Sequence, residues 1–260
     1  MAVSSQHSTR VLTQTECDAG EGVPEWGREG YEAVCHALES RAPGFPCIYG
    51  VRAYNEGGLR YVFVDDDTDP TYLQALGRAL WEYTSTCREI GQFTSLLVLF
   101  PPSSEELATL EAYRERYWKL MQWLHDHDPA PWPDGVPAET TDPDWEFCFG
   151  GLAMVVPANL PLYAKRRSRR NPCFMILFQP RFVFDELMAQ PQKLAAARQV
   201  IRARALQFDD VPVHPHIGVY GERDNLEWRQ YVVPDSSDPV PGECPLRMWH
   251  ERATPDEERA

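Results

Sequence analysis

A continuous run of apolar residues places the strongest constraint on how this chain can fold. The segment from Phe93 to Phe100 contains no polar side chain after Ser95, and it stops at Pro101 and Pro102. A strand with one face in water alternates apolar and polar residues, whereas a continuously apolar strand is buried on both faces. We therefore predict that this segment is a central strand of a sheet.

Other segments have the patterns of strands and helices that would surround this strand. Short apolar runs bounded by turn-forming residues predict strands at 59–64, 152–156, 174–179 and 228–233. Helical spacing predicts three helices. The first begins after the N-cap Asp69, the second runs from the Ser103/Glu106 capping box to His125, and the third spans 192–207. Because several connections are long and rich in proline, we predict an α+β fold, a single domain with a mixed or antiparallel sheet flanked by helices.

Both ends of the chain differ in composition from its middle. Residues 1–25 are mostly small and polar, and residues 234–260 are rich in proline and acidic side chains. Segments with so few side chains to bury recover little of the entropy that ordering costs. We therefore expect a flexible N-terminal segment at 1–25, a folded domain at 26–233 and a flexible acidic tail at 234–260.

Charge and cysteine content narrow the class of protein. Lysine and arginine total 25 against 39 aspartates and glutamates, a net charge of −14 that does not suit binding to nucleic-acid phosphates. No stretch reaches the roughly 20 apolar residues of a membrane span, and the first residues lack the apolar run of a signal peptide. Seven cysteines without a C-x-x-C pair fit a reduced compartment, so we expect a cytoplasmic protein.

A first candidate site lies where the predicted helix that follows the central strand ends. His125, His127 and Asp128 are residue types that bind the metal of a hydrolase, and Pro129 prevents the helix from continuing. Residues two apart on a helix diverge by about 200°, so both histidines share a metal only if the helix has already unwound. The alternative is that the imidazoles cap carbonyl groups at the helix C-terminus.

Two further candidates combine charged and apolar residues. Glu146 and Cys148 lie among aromatic residues, so the carboxylate needs a partner such as a cationic substrate; the alternative is an ordinary buried strand with a bulge. The basic run from Lys165 to Arg170, followed by Arg181, offers guanidinium groups to a carboxylate or phosphate. The alternative for this run is a solvated basic face.

A fourth candidate is the pair of histidines His214 and His216, on either side of Pro215. The proline and the nearby Gly218 restrict the backbone, which is one way to present an imidazole to iron from a defined direction. The alternative is a tight turn in which a histidine bonds a nearby carbonyl. The sequence contains no serine nucleophile elbow, no glycine-rich phosphate loop after a strand and no spaced Cys/His zinc set.

Seven short segments between about 45 and 235 resemble, in order, the motifs of the YqcI/YcgG family. These segments are Phe45-Pro46-Cys47-x-Tyr49-Gly50, Phe93-Thr94-Ser95-Leu96, Leu124-His125-x-x-Asp128 with Pro131-Trp132-Pro133, Trp145-Glu146-Phe147-Cys148-Phe149, Arg166-x-Ser168-Arg169, Phe178-Gln179-Pro180-Arg181, and His214-Pro215-x-Ile217-Gly218 through Glu227-Trp228-x-Gln230-Tyr231. The resemblance implies a haem-dependent N-oxygenase, an enzyme that oxidises the side-chain amine or guanidine of an amino acid in natural-product pathways such as antibiotic biosynthesis.

The resemblance also implies which residues hold the iron of haem b. His214 is the expected axial ligand and His125 the second choice, because both match family positions. A thiolate from Cys47 or Cys148 is a third option. Tyr163 stands where relatives often have a histidine; if that histidine is their axial ligand, this chain has a phenolate-ligated iron or none.

The remaining expected roles follow from the chemistry of haem and of nitrogen oxidation. Haem propionates need cations, and Arg166, Arg169 and Arg181 are the candidates. Oxidation of a nitrogen requires its lone pair, so Glu146 or Glu227 is expected to hold and deprotonate a lysine-like or arginine-like substrate. Dioxygen and an electron donor are the other expected partners, and a homodimer is left open.

Two functions compete with this interpretation. A non-catalytic haem protein that senses a gas would need the same cofactor-binding residues but would oxidise no amine. A haem-free metal hydrolase would instead use His125, His127 and Asp128.

Overall fold

A mixed sheet forms the centre of the computed structural model, which describes residues 9–102 and 109–248. Its strands are β1 (Leu12–Thr13), β2 (Leu59–Phe63), β3 (Ser95–Phe100), β4 (Phe147–Phe149), β5 (Leu152–Val155), β6 (Ala158–Asn159) and β7 (Phe174–Pro180). The strand order is β1-β2-β3-β7-β5-β4, and β6 also pairs with β7. β2 and β3 are parallel, and the other pairs in the described sheet are antiparallel. The predicted α+β fold with a mixed sheet is confirmed.

Helices cover both faces of this sheet. They are α1 (Gln14–Asp18), α2 (Arg28–Glu39), α3 (Ile48–Asn55), α4 (Pro70–Ile90), α5 (Leu110–Asp126), α6 (Asp185–Met188) and α7 (Pro191–Phe208). α4 begins as predicted, because Asp69 accepts a hydrogen bond from the backbone of Thr71 and Pro70 occupies the first helical position. The predicted start of the next helix at Ser103 and Glu106 lies outside the described residues, and α5 is capped by Thr109.

Alternate residues of the central strand face two different cores, which explains why its sequence is continuously apolar. Leu96, Val98 and Phe100 pack in the core that contains the buried faces of α4 and α5. Leu97 and Leu99 pack on the opposite face, in the core that contains the buried residues of α2. The prediction of a central strand buried on both faces is confirmed.

One predicted strand is wrong. The segment 228–233 overlaps a short 3-10 helix, Glu227–Gln230, which is followed by buried residues outside any strand. Tyr231, Val232 and Val233 are apolar because they pack in the core with α4 and α5. A short run of apolar residues indicates burial, but it does not distinguish a strand from an irregular segment that enters the core.

The ends of the described chain are packed more closely than their composition suggests. Leu12 is buried and pairs with Tyr61 across β1 and β2. In the tail, Val240 and Leu246 are buried, and Asp235 accepts hydrogen bonds from three successive backbone N–H groups. A few anchored residues are therefore sufficient to hold polar segments against the domain. No described helix is both long and apolar enough to span a bilayer.

Candidate active site

A cavity of about 460 Å³ lies between the sheet and α7. Its size falls within the range of small-molecule sites. Leu97, Met175 and Leu177 of the sheet form one wall, and Val34 and Leu38 of α2 continue it. The apolar character of this wall follows from its position on the second face of the central strands, opposite α4 and α5.

The other apolar wall comes from α7. Leu194, Ala197, Ile201 and Ala205 of this helix line the cavity, and Ala205 is the residue of α7 that is buried. α7 therefore covers the cavity without filling it. Two side chains of α7 contact the loop that precedes Glu227. Arg202 donates to the backbone carbonyl of Ile217, and Arg198 forms an ion pair with Glu222.

Two buried carboxyl groups line the same cavity. Glu146 immediately precedes β4, and Glu227 begins the 3-10 helix, so chain segments about 80 residues apart in sequence deliver them to one place. Glu146 is 1% exposed and Glu227 is 2% exposed. Glu146 accepts a hydrogen bond of 2.7 Å from Nε of Arg181, whereas Glu227 forms no ion pair in the described part of the chain.

The two carboxyl groups differ in how readily they ionise. Burial and, as the second cause, the negative charge of Glu146 raise the pKa of Glu227 to about 8, while the side chains of Gln230 and Asn225 oppose the rise. Burial also raises the pKa of Glu146, although Arg181 works against this shift. Arg181 lowers the pKa of both carboxyl groups, but Glu227 is the one that retains its proton near neutral pH.

The Arg181 guanidinium is held in a fixed orientation. Its Cζ lies 3.4 Å from the centroid of the Tyr220 ring, and the Tyr220 hydroxyl donates to the carbonyl of Asp144. Nη2 of Arg181 is buried and has no hydrogen-bond partner among the described residues. A buried donor without a partner indicates that this part of the cavity is built to receive an acceptor.

The predicted arginines separate into different roles. Arg166 lines the cavity, but each of its three side-chain nitrogens donates to a backbone carbonyl, of Pro234, Pro212 and Ser236, so this guanidinium is used to hold the tail. Arg169 donates to the carbonyl of Gln230 through Nη1 and has no ion pair within 4 Å among the described residues. Burial lowers the pKa of Arg169, as expected for a desolvated cation.

The structure places the two family-pattern thiols differently. Cys47 lines the cavity as the N-cap of α3, and its Sγ accepts a hydrogen bond of 3.3 Å from the backbone N–H of Gly50. Cys148 lies on β4, is 1% exposed and does not line the cavity. Burial raises the pKa of Cys148, and the Glu146 carboxylate raises it further.

The predicted histidine ligands do not line this cavity. Nε2 of His214 is 2.8 Å from the carbonyl oxygen of Asp238, and Nδ1 accepts the backbone N–H of His216, so both ring nitrogens are engaged. His125 packs edge-on against Trp132, and its buried Nε2 has no partner among the described residues. No histidine of the described chain lines the cavity.

Tyr163 and the residues proposed for a hydrolase have structural contacts. Tyr163 is buried and its hydroxyl donates to the carbonyl of Val233. The His127 ring stacks on Trp123, and Asp128 accepts the backbone N–H of Gly150. The described residues contain no group of three or more His, Cys, Asp or Glu side chains that converges on a metal position.

Sequence reasoning found part of this site and missed the rest. It named Glu146, Glu227, Arg169 and Arg181, which the structure brings to one cavity. It predicted α7 as a helix but did not assign it to the site. A usable signal was present, because Arg198 and Arg202 are four residues apart and flank the apolar positions that line the cavity.

Comparison with known proteins identifies relatives over most of the chain. The sequence profile of the YqcI/YcgG family matches residues 35–247. The chain is 37% identical over 229 residues to the uncharacterized protein YqcI of Bacillus subtilis (strain 168), which covers 87% of this chain and 89% of that protein. It is 37% identical over 228 residues, 87% of this chain and 90% of the relative, to the uncharacterized protein YcgG of the same organism.

A third relative has a named activity. The chain is 28% identical over 247 residues, 93% of this chain and 91% of the relative, to a Streptomyces lavendulae protein named "Putative N(omega)-hydroxy-L-arginine synthase DcsA". No solved structure matches the chain significantly. The family profile covers far more than half of the sequence, and it spans the segments that carry the cavity-lining glutamates, arginines and cysteine. The chain therefore belongs to the YqcI/YcgG family.

Proposed function

We propose that this protein is a haem-dependent N-oxygenase that oxidises the side-chain amine or guanidine of a lysine-like or arginine-like amino acid with dioxygen. The observation that carries the proposal is the cavity that contains two buried carboxyl groups and one guanidinium hydrogen-bonded to the first of them. A cationic side chain beside Glu227 would compensate the ionised form of that carboxyl group, which forms no ion pair with a described residue. The relative named as an N(omega)-hydroxy-L-arginine synthase supports amino-acid N-oxygenation as the reaction class.

Two features of the cavity support haem as the cofactor. Apolar side chains of α2, α7 and the sheet form its two opposite walls, which suits the faces of a porphyrin. Arg169 and the buried, unpartnered Nη2 of Arg181 are available to anionic or other acceptor groups. When bound, haem would supply the redox-active iron that activates dioxygen.

The residues of this chain bind and deprotonate the substrate in the proposed reaction. Glu146, fixed by Arg181, orients the cationic side chain. Glu227 first loses its own proton to solvent, and its carboxylate then takes the proton that must leave nitrogen before the lone pair can be oxidised. A carboxyl group with a pKa of about 8 is a stronger base, once ionised, than an ordinary glutamate. One oxygen atom is transferred to nitrogen, the other leaves as water, and a reductant supplies the electron pair.

The apolar walls also reduce the contact of the reacting nitrogen with bulk water. The cavity is covered by α7 on one side and by the sheet on the other. In such surroundings the attraction between a carboxylate and a substrate cation is stronger than in water. Binding therefore favours amino acids with a charged side-chain nitrogen over neutral ones of the same length.

The test begins with purified protein titrated with ferric haem. We expect a Soret band and, with a reductant and dioxygen, conversion of arginine or lysine to a product with one additional oxygen atom. Citrulline and norleucine, which are uncharged and similar in shape, are the matched substrate controls and should not react. A protein that takes up no haem would refute the proposal. A haem protein that consumes no amine would instead be the gas sensor considered from the sequence.

A further inference from the structure

We infer that Arg169 binds the α-carboxylate group of the substrate, an inference that rests on the proposed function. The consequence is a requirement for a free basic amino acid, since the amine that remains when the carboxylate is removed offers Arg169 nothing to bind. Arg169 lies at the end of the 3-10 turn Arg167–Arg169, and it lines the same cavity as the two buried glutamates.

The guanidinium group of Arg169 has few partners for a desolvated cation. Nη1 donates to the carbonyl oxygen of Gln230 over 3.0 Å, and no carboxylate oxygen in the described part of the chain lies within 4 Å of its nitrogens. The charge of Asp209 favours the cation, but the two oxygens of Asp209 accept hydrogen bonds from the backbone and hydroxyl of Ser168. Because a buried cation is stable only with compensating partners, an anionic group of a bound molecule would stabilise Arg169 without displacing one.

Two neighbouring guanidinium groups that line the cavity are already committed. Arg166 donates through three nitrogens to backbone carbonyls, two of them in the tail. Nε of Arg181 lies 2.7 Å from the Glu146 carboxylate, so an anion bound to Arg181 would also meet a like charge. Of these three arginines, Arg169 is therefore the one best suited to a substrate carboxylate.

One residue connects Arg169 to the carboxyl group that removes the proton from nitrogen. The backbone carbonyl of Gln230 accepts Nη1 of Arg169, and the Gln230 side chain forms a hydrogen bond with Glu227 that lowers the pKa of that carboxyl group. Arg169 and Glu227 therefore lie near each other in the cavity, yet they form no ion pair within 4 Å. A molecule that contacts both needs an anionic group at one end and a cationic nitrogen at the other, which describes a free basic amino acid.

The experiment measures binding by isothermal titration calorimetry of the full-length protein, both with ferric haem and without it. The ligands are arginine with its decarboxylated form agmatine, and lysine with its decarboxylated form cadaverine. We expect the wild-type protein to bind one of the two amino acids about 30-fold more tightly than the matching amine, the effect of one hydrogen bond between charged groups.

Arg169→Met should abolish this preference by weakening the binding of the amino acid while leaving the affinity for the amine unchanged. The matched control is Arg78→Met, at an exposed position of α4 that does not line the cavity, which should bind all four ligands as the wild-type protein does. Arg169→Lys keeps the charge but loses the planar fork of donors, so it should retain only part of the preference.

The outcomes separate the role of Arg169 from the proposed function. Equal affinity of the wild-type protein for amino acid and amine would overturn the inference, whether or not the variants fold. An Arg169→Met variant that is folded by circular dichroism and keeps the preference would also overturn it, and if that variant took up less haem, Arg169 would serve the cofactor instead. A wild-type protein that takes up no haem would refute the proposed function, while the titrations without haem would still test Arg169.

Discussion

Glu227→Gln should change how the stability of the protein depends on pH. The folded-state pKa of Glu227 is about 8, against an ordinary value of 4.5, because burial and the charge of Glu146 disfavour its ionised form. A glutamate whose folded pKa is raised stabilises the folded state fully at low pH, and this contribution is lost as pH rises through the folded value. At 1.36 kcal/mol per pKa unit, the whole effect is about 5 kcal/mol.

The side-chain amide introduced by Glu227→Gln is neutral and cannot ionise. The variant therefore does not lose stability at this position as pH rises. Between about pH 5.5 and about pH 8.5, wild type should lose about 3 kcal/mol of unfolding free energy relative to the variant. The assay is urea denaturation followed by circular dichroism at a series of pH values. Glu243→Gln, at an exposed position of the tail, is the matched control and should track wild type. A difference between Glu227→Gln and wild type that does not change with pH would refute the reasoning.

Four further substitutions, one of them a control, test contacts that the fold depends on, each by urea denaturation. Gly150→Ala should cost about 3 kcal/mol, because φ is +62° and the new Cβ would clash with Oγ1 of Thr84, whereas Gly151→Ala, with φ +73° and open space, should cost about 1 kcal/mol. Equal costs would contradict the steric argument. Asp128→Ala should cost about 2 kcal/mol through the backbone N–H groups it leaves without an acceptor, but it should not abolish haem uptake. Arg166→Met should cost about 3 kcal/mol, and an unchanged stability would mean that its carbonyl contacts contribute nothing.

Local sequence patterns predicted the elements whose determinants are local. The Phe93–Phe100 run, the Asp69 cap and the helical spacing of 192–207 each depend on residues that are neighbours in sequence, and the structure confirms all three elements. The strand expected at 228–233 was wrong because its apolar residues enter the core in an irregular segment, which bonds to Ala158 through one backbone carbonyl but forms no strand. The difference between these cases depends on tertiary contacts, which one sequence does not display.

The same limit applies to the candidate site. Glu146 was identified because a carboxyl group among aromatic residues needs a partner, and this rule holds wherever the chain places it. Glu227 was named because oxidation of a nitrogen requires a group that removes its proton. His214 was chosen for iron from its motif, yet its ring nitrogens are taken by a carbonyl 24 residues away and by a nearby N–H. Whether an imidazole is free to bind a metal depends on such partners, and sequence spacing carries no information about them.

The basic segment 165–170 shows how one motif can serve both structure and site. Asp235 accepts the N–H groups of Ala164, Lys165 and Arg166, and it thereby fixes the entrance to the 3-10 turn that follows. The Arg166 side chain then holds the tail by its carbonyl groups, while Arg169 at the end of the turn reaches the cavity. The acidic tail expected to be flexible is thus part of what positions a site cation. A charge run in an acidic protein is therefore better analysed residue by residue, since two arginines of one short turn here have different partners and different roles.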